Sequence, residues 1–214
     1  VIVGNVGLAY LTRSILTELH VAEKKVRFAW LFLLFNPFIL LTTSAWGQFD
    51  TVVAIFAVAS LYFLSKKKTD QSALSMGISI CLKPIALPLA PLPLLFPSSI
   101  ALRARIRYIL ILAGVVLVLW IAPFYVLGWS IPIGPNECNA YSKIAGGMSP
   151  FNLVEVFTDS PIIPSSLEFL GYIWLPFLLI GYYLVYRSRV RSFIDLVPKA
   201  IGITLIFFLT RSWL

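Results

Sequence analysis

The sequence predicts an all-α fold: a polytopic bundle of transmembrane helices with one broken helical hairpin and one long outer loop. Composition is the first indication, because 59% of the 214 residues are hydrophobic and only 12% are charged. Length is the second, since the apolar runs approach the roughly 20 residues that a helix needs to cross a bilayer. These runs are continuous rather than alternating, which favours helices over barrel strands. Residues 1–214 are predicted to form one transmembrane domain.

Basic clusters at the ends of the apolar runs are the third indication, and they set the direction of each run. The clusters lie at residues 24–27, 66–68, 103–107 and 187–191. Because Lys and Arg gather on the cytoplasmic side of membrane helices, all four clusters are predicted to face the cytoplasm. This topology accounts for the net charge of +8, so a nucleic-acid partner is not expected.

The predicted spans alternate in direction and follow from the apolar runs and the clusters between them. In chain order they are residues 1–17, 26–45, 49–65, 108–129, 167–186 and 193–210. The first span runs toward the cytoplasm and the last ends outside. Residues 130–166 lack helical periodicity and are rich in proline and glycine, so they are predicted to form the long outer loop.

A broken hairpin is predicted between the second and third basic clusters. A single span there would place the third cluster outside, against the charge rule. Lys83-Pro84 interrupts the segment, and an interior proline removes a helical hydrogen bond. We therefore predict two short helices, residues 72–82 and 85–96. Broken helices at membrane depth need cover from protein or a hydrated cavity, which predicts a cavity near Lys83.

The turn at residues 46–50 carries side chains that a plain connection between spans does not need. Asp50 can cap the helix that follows it. It can also serve as a base, a metal ligand or a hydrogen-bond acceptor for a hydroxyl, and these roles are compatible with capping. Gln48 has donors and acceptors suited to sugar hydroxyls. Trp46 can stack on a sugar face or anchor the turn at the membrane interface.

Lys83 and Arg211 are the candidate anion contacts. An ammonium inside an apolar segment costs several kcal/mol unless it is paired or hydrated, so Lys83 is predicted to meet an anion such as a phosphate. The alternative is a lysine that snorkels to the membrane surface. Arg211 follows the last span, where a guanidinium suits bidentate phosphate contact or simple interfacial anchoring.

Several short motifs, taken together, resemble those of the polyprenyl-phosphate-dependent GT-C glycosyltransferases. In chain order they are Asn36-Pro37, Trp46-Gly47-Gln48-Phe49-Asp50, Ser75-Met76-Gly77-Ile78, Leu82-Lys83-Pro84 and Arg211-Ser212-Trp213. The chain is most similar to prokaryotic, especially archaeal, mannosyltransferase-like membrane proteins related to the enzymes of GPI-anchor and asparagine-linked glycosylation.

The resemblance implies a multi-pass membrane enzyme that moves a sugar, mannose or another hexose, with inversion. The implied donor is a polyprenyl- or dolichyl-phosphate sugar, and the implied acceptor is a glycan, lipid or protein on the non-cytoplasmic face. Asp50 corresponds to a second-loop carboxylate. Lys83 and Arg211 correspond to phosphate contacts, and Gln48 to a sugar contact.

Other features leave alternatives open. The chain starts at Val1 inside an apolar run, so we expect it to be part of a longer protein whose principal catalytic carboxylate precedes Val1. No residue is assigned to a metal, and a divalent metal cofactor is left open. A lipid or solute transporter would also use broken helices and a buried lysine, and a non-catalytic membrane subunit is a third interpretation.

Overall fold

The computed structural model describes residues 2–41, 50–95, 100–127, 174–188, 190 and 193–210. Every regular element within these ranges is a helix, which confirms the all-α prediction. The predicted membrane spans are not confirmed, because none of the described helices combines the length and the apolar character that crossing a membrane requires. The predicted outer loop at 130–166 lies outside the described ranges. The chain divides into two compact units, Val1–Pro93 with Ser99–Ala122, and Leu94–Ser98 with Pro123–Leu214.

The elements follow one another closely along the chain. They are α1 (Ile2–Glu18), α2 (Glu23–Phe35), α3 (Pro37–Leu40), α4 (Asp50–Ser65), α5 (Thr69–Leu82), two 3-10 helices (Pro84–Leu89 and Leu92–Leu95), α6 (Leu102–Val116), a π-helical turn (Leu117–Ile121), α7 (Ala122–Val126), α8 (Trp174–Arg187) and α9 (Phe193–Thr210).

The span predicted over residues 26–45 is interrupted at Asn36, so the prediction of one continuous helix there is wrong. Pro37 disfavours helical geometry in the residue before it, and α2 ends at Phe35. The side-chain oxygen of Asn36 then accepts hydrogen bonds from the backbone N–H groups of Phe38 (2.9 Å) and Ile39 (3.3 Å). Asn36 therefore caps α3, and Pro37 occupies the first helical position, where its missing N–H costs nothing.

Small polar side chains join α4 to α5 in the interior of the first unit. The Ser60 hydroxyl donates to the carbonyl of Ser72 at 2.8 Å and lies 3.0 Å from its hydroxyl oxygen. The Ser79 hydroxyl donates to the carbonyl of Val53 at 2.9 Å. The order of these contacts makes α4 and α5 antiparallel. Serine lets two helix backbones approach closely while its hydroxyl stays hydrogen-bonded, as is common between membrane helices.

The segment after α5 folds back along the helix, as the proline series predicts. α5 ends at Leu82, directly before Lys83-Pro84, which confirms the predicted break. The second half differs from the prediction, because it forms two 3-10 helices instead of one short α-helix. Closely spaced prolines remove the N–H groups that a regular α-helix would use. The Tyr108 hydroxyl of α6 donates to the carbonyl of Ala90 at 3.1 Å and fastens this returning segment.

The return of the chain makes α6 parallel to α5. Arg107 pairs with Asp70 at the start of α5, with a nitrogen–oxygen distance of 2.5 Å. Further along, Gly77 lies against Val115. The basic clusters that precede α5 and begin α6 therefore lie at the same end of the first unit, as predicted from charge.

α1 runs parallel to α4 and completes the polarity of the first unit. Gly4 lies against Thr51 near the start of both helices, and Glu18 forms an ion pair with Lys66 near their ends. The cluster at 24–27 begins α2, directly after α1. Three basic clusters thus share one end of this unit, which we call the basic end. The starts of α1 and α4 and the end of α5 form the opposite end.

The second unit contains the pair α8 and α9. These helices are antiparallel, with Gly181 of α8 close to Ile203 and Ile206 of α9. Within α9, the Lys199 ammonium donates to the carbonyl of Asp195 at 3.1 Å. A groove between the two helices is lined mainly by apolar side chains.

Candidate functional site

Asp50 and Lys83 meet at the end of the first unit opposite the basic end. The Lys83 ammonium nitrogen lies 2.5 Å from Oδ1 of Asp50, across 33 residues of sequence. Asp50 is the first residue of α4, and Lys83 is the residue that ends α5. The antiparallel packing of α4 and α5 brings these two helix ends together.

Local backbone structure holds Lys83 at this position. Its backbone is extended (φ −159°, ψ 124°), and its N–H donates to the carbonyl of Ser79 at 3.1 Å. The following Pro84 disfavours helical geometry at Lys83 and starts the first 3-10 helix. Lys83 therefore projects from a helix end and not from the middle of a regular helix.

Both helix termini favour the charges they carry. Asp50 lies in the first turn of α4, where the N-terminal end of the helix dipole stabilises a negative charge. Lys83 follows the last carbonyl groups of α5, where the C-terminal end stabilises a positive charge. The ion pair is thus supported by two antiparallel helix dipoles as well as by its own Coulomb attraction.

Exposure separates this pair from a purely structural ion pair. Each of the two side chains is 39% exposed, so both charged groups can be reached by a ligand. An ion pair this accessible contributes only about 0–1 kcal/mol to stability, because solvent screens it. The pair can therefore be opened by a competing anion at small cost to the fold.

The predicted site residues have different outcomes. The sequence predicted that Lys83 meets an anion, and in the structure that anion is the carboxylate of Asp50. Asp50 was predicted to cap a helix beginning at the next residue, whereas α4 includes Asp50 as its first residue. Trp46, Gln48 and Arg211 lie outside the described residues, so their places in the site stay predictions.

Two buried polar residues beside the site were not singled out from the sequence. Thr51 is 6% exposed, and its hydroxyl has no hydrogen-bond partner among the residues that the structure describes. Asn5 of α1 is 4% exposed. A polar residue within an apolar run is a general indicator of a functional position, and this signal applied to Asn5.

Gly4 allows α1 to approach the start of α4 beside these residues. A Cβ at that position would lie 3.0 Å from the hydroxyl oxygen of Thr51 and 2.9 Å from a methyl group of Val52. Any larger residue would push α1 away from the helix turn that carries Asp50.

Metal-binding clusters were also considered for the part of the chain with described coordinates. No three His, Cys, Asp or Glu residues are grouped there so that they could hold a metal ion. The described chemistry of the site is therefore that of one carboxylate, one ammonium and neighbouring neutral polar groups.

Comparison with known proteins identifies the family. The family model described as Glycosyltransferase family 87 matches residues 1–185, a range that includes both Asp50 and Lys83. No curated protein and no solved structure matches the chain. The family match covers most of the sequence and confirms the GT-C resemblance carried by the motifs. The chain belongs to glycosyltransferase family 87, a GT-C-type family of membrane glycosyltransferases.

Proposed function

We propose that this glycosyltransferase moves a hexose, such as mannose, from a polyprenyl- or dolichyl-phosphate donor to an acceptor hydroxyl, and that Asp50 and Lys83 form part of its site. The observation that supports this assignment most strongly is the accessible Asp50–Lys83 pair. A carboxylate and an ammonium side by side provide the two charges that sugar transfer from a phosphate needs. Family membership favours this function over a transporter.

Lys83 is assigned to the donor phosphate. The bond between the anomeric carbon and the phosphate oxygen breaks during transfer, and negative charge develops on that oxygen. An ammonium beside it is attracted more strongly in the transition state than in the bound donor, so it lowers the barrier to transfer. The phosphate leaves as the lipid monophosphate.

Asp50 is assigned to the acceptor side of the reaction. The acceptor oxygen forms the new bond to the anomeric carbon while the lipid phosphate departs from the opposite face, which inverts the configuration. The acceptor hydroxyl must lose its proton in the same process. A carboxylate within hydrogen-bond reach can orient that hydroxyl or accept the proton. Asp50 serves as such a group alongside any carboxylate that precedes Val1.

A lipid environment for the first unit is supported by the side chains on its surface. α2 has a single buried residue, Val26, while Phe28 and Phe35 are about as exposed as charged surface residues usually are. The exposed face of α6 likewise carries Leu110 and Leu102. Exposed apolar area of this extent marks a surface that contacts lipid or another protein. We propose that it contacts the bilayer of a multi-pass, prokaryotic membrane protein.

Sidedness follows from the charge distribution of the first unit. We propose that the basic end faces the cytoplasm, because basic residues gather on that side. The Asp50–Lys83 end then faces the opposite side of the membrane, where the acceptor glycan, lipid or protein is met. Trp46 and Gln48 are proposed to contact sugar, and Arg211 to contact the donor phosphate.

The donor assignment is tested with Lys83→Met in protein reconstituted into vesicles. Radiolabelled polyprenyl-phosphate mannose is the donor, and membranes from a strain lacking the gene supply the acceptor. Lys83→Met keeps the apolar stem but loses the charge, so the apparent KM for the donor is expected to rise about tenfold or more.

Lys66→Met is the matched control. Lys66 also pairs with a carboxylate and has a similar exposure, 40%, but lies at the basic end. Its substitution is expected to leave the donor KM within about twofold of the native value. An unchanged donor KM for Lys83→Met would contradict the phosphate assignment.

A further inference from the structure

The Asp50–Lys83 pair has a consequence for the order in which substrates engage. In the structure, the charge proposed to hold the donor phosphate is already paired with the carboxylate proposed to meet the acceptor. The two groups therefore block each other. The pair must open before either group can perform its assigned role.

We infer that the donor phosphate displaces Asp50 from Lys83, and that this exchange frees the carboxylate for the acceptor hydroxyl. The inference rests on the proposed function of the site. It makes Asp50 a competitor of the donor as well as a participant in transfer, and it predicts that the donor binds before the acceptor is activated.

The geometry supports exchange over permanent pairing. Only Oδ1 of Asp50 contacts the ammonium, at 2.5 Å, and an ammonium has three donor hydrogens. Both side chains are 39% exposed, so an anion can approach the ammonium without unfolding either helix. A lysine on a flexible stem can turn from one anion to another by rotating its side chain.

Electrostatics makes the exchange favourable once the donor arrives. The paired site is neutral, so it attracts a free anion less strongly than an isolated lysine does. Once the phosphate occupies Lys83, Asp50 loses its partner and becomes a stronger hydrogen-bond acceptor. The N-terminal end of α4 continues to stabilise the freed carboxylate, because Asp50 lies in the first helical turn. The site is therefore protected from an uncompensated charge in both states.

The inference predicts opposite effects of two substitutions on lipid-phosphate binding. The probe is farnesyl phosphate, titrated into the detergent-solubilised protein, with farnesol as the control for binding of the apolar chain. Asp50→Asn removes the competing charge, so the dissociation constant for farnesyl phosphate is expected to fall about two- to fivefold, the worth of a partly exposed ion pair. Lys83→Met is expected to raise it about tenfold.

Two further variants make the result specific. Asp70→Asn opens the Arg107–Asp70 pair at the basic end and is expected to leave farnesyl phosphate binding unchanged. The double variant Asp50→Asn/Lys83→Met is expected to bind as weakly as Lys83→Met alone, because Asp50 acts only through Lys83. Farnesol binding is expected to be the same in every variant.

Failure of the exchange and failure of the proposed function have different signatures. Unchanged or weaker farnesyl phosphate binding in Asp50→Asn overturns the exchange, even if that variant has lost sugar transfer. Native sugar transfer by Asp50→Asn overturns the proposed role of Asp50, whatever happens to binding. Tighter binding combined with lost transfer supports both.

Discussion

Gly77 is the tightest point of contact between α5 and α6, and its substitution tests the packing that places Lys83. A Cβ added to Gly77 would lie 2.7 Å from one methyl carbon of Val115 and 2.8 Å from its Cβ. Carbon atoms in contact are normally 3.5–4.0 Å apart. Rotation of the Val115 side chain moves its methyl groups but leaves its Cβ in place. The backbone of one helix therefore has to shift.

The expected effect of Gly77→Ala is the balance of two opposing terms. Alanine in a helix is favoured over glycine by about 1 kcal/mol. Overpacking costs about 1–3 kcal/mol, and a clash with a backbone-fixed atom belongs in the upper part of that range. We expect a net loss of about 1–2 kcal/mol. For a chain of this length, that lowers the Tm by roughly 2–8 °C.

Thermal unfolding of the detergent-solubilised protein measures this effect, and Gly114→Ala is the matched control. Gly114 also lies in α6, but a Cβ there would have no atom within 4 Å. Gly114→Ala is therefore expected to raise the Tm by about 2–4 °C, through helix propensity alone. Adding Val115→Gly to Gly77→Ala removes both clashing atoms, so the double-mutant cycle should show favourable coupling of about 1 kcal/mol or more. A Tm for Gly77→Ala that rises as it does for Gly114→Ala would refute the described packing of α5 on α6.

Three further substitutions test single contacts by the same thermal measurement. Tyr108→Phe leaves the buried carbonyl of Ala90 without its donor and is expected to cost about 1–2 kcal/mol; an unchanged Tm would show that this hydrogen bond does not hold the returning segment. Ser60→Ala removes the link to Ser72 between α4 and α5 and is expected to cost about 1 kcal/mol, with no loss if lipid-soluble helices pair without it. Lys67→Gly is expected to stabilise by about 1 kcal/mol, because Lys67 has a positive φ of 61° that glycine adopts without strain; a lower Tm would contradict this.

Breaks in the helices were predictable where proline and a capping residue occur in sequence. Pro84 marks the end of α5 because proline acts on its immediate neighbours, which is local information. The same logic applied to Asn36-Pro37, where the apolar run outweighed the proline signal and led to a prediction of one helix. Asn36 accepts two backbone hydrogen bonds as a cap, and an Asn-Pro dipeptide is a recognisable sign of such a start.

The pairing of Asp50 with Lys83 could not be predicted in the same way. It depends on the register of α4 against α5, which is set by the contacts of Ser60 with Ser72 and of Ser79 with Val53. Helices that are apolar on all sides have no dominant face in the sequence, so periodicity does not reveal which residues meet. The sequence identified both charges as functional candidates but not each other as partners.

The shared location of the basic clusters was predictable because it follows from a physical rule about charge. The clusters at 66–68 and 103–107 lie at one end of the first unit, through a chain return that the prolines made necessary. The form of that return was less predictable. Consecutive 3-10 turns depend on how each residue between the prolines packs, and this is tertiary information.

The most direct test of the central claim is sugar transfer by Asp50→Asn measured beside Asp70→Asn. Both aspartates lie in the first turn of a helix, each pairs with a basic side chain at 2.5 Å, and asparagine keeps their local hydrogen bonding. Transfer from polyprenyl-phosphate mannose in reconstituted vesicles is the measurement, with equal amounts of folded protein. The account predicts at least a hundredfold loss of kcat for Asp50→Asn, the lower end of what positioned acid–base groups contribute, and near-native turnover for Asp70→Asn. Equal turnover in the two variants would contradict it and leave the Asp50–Lys83 pair as a structural contact.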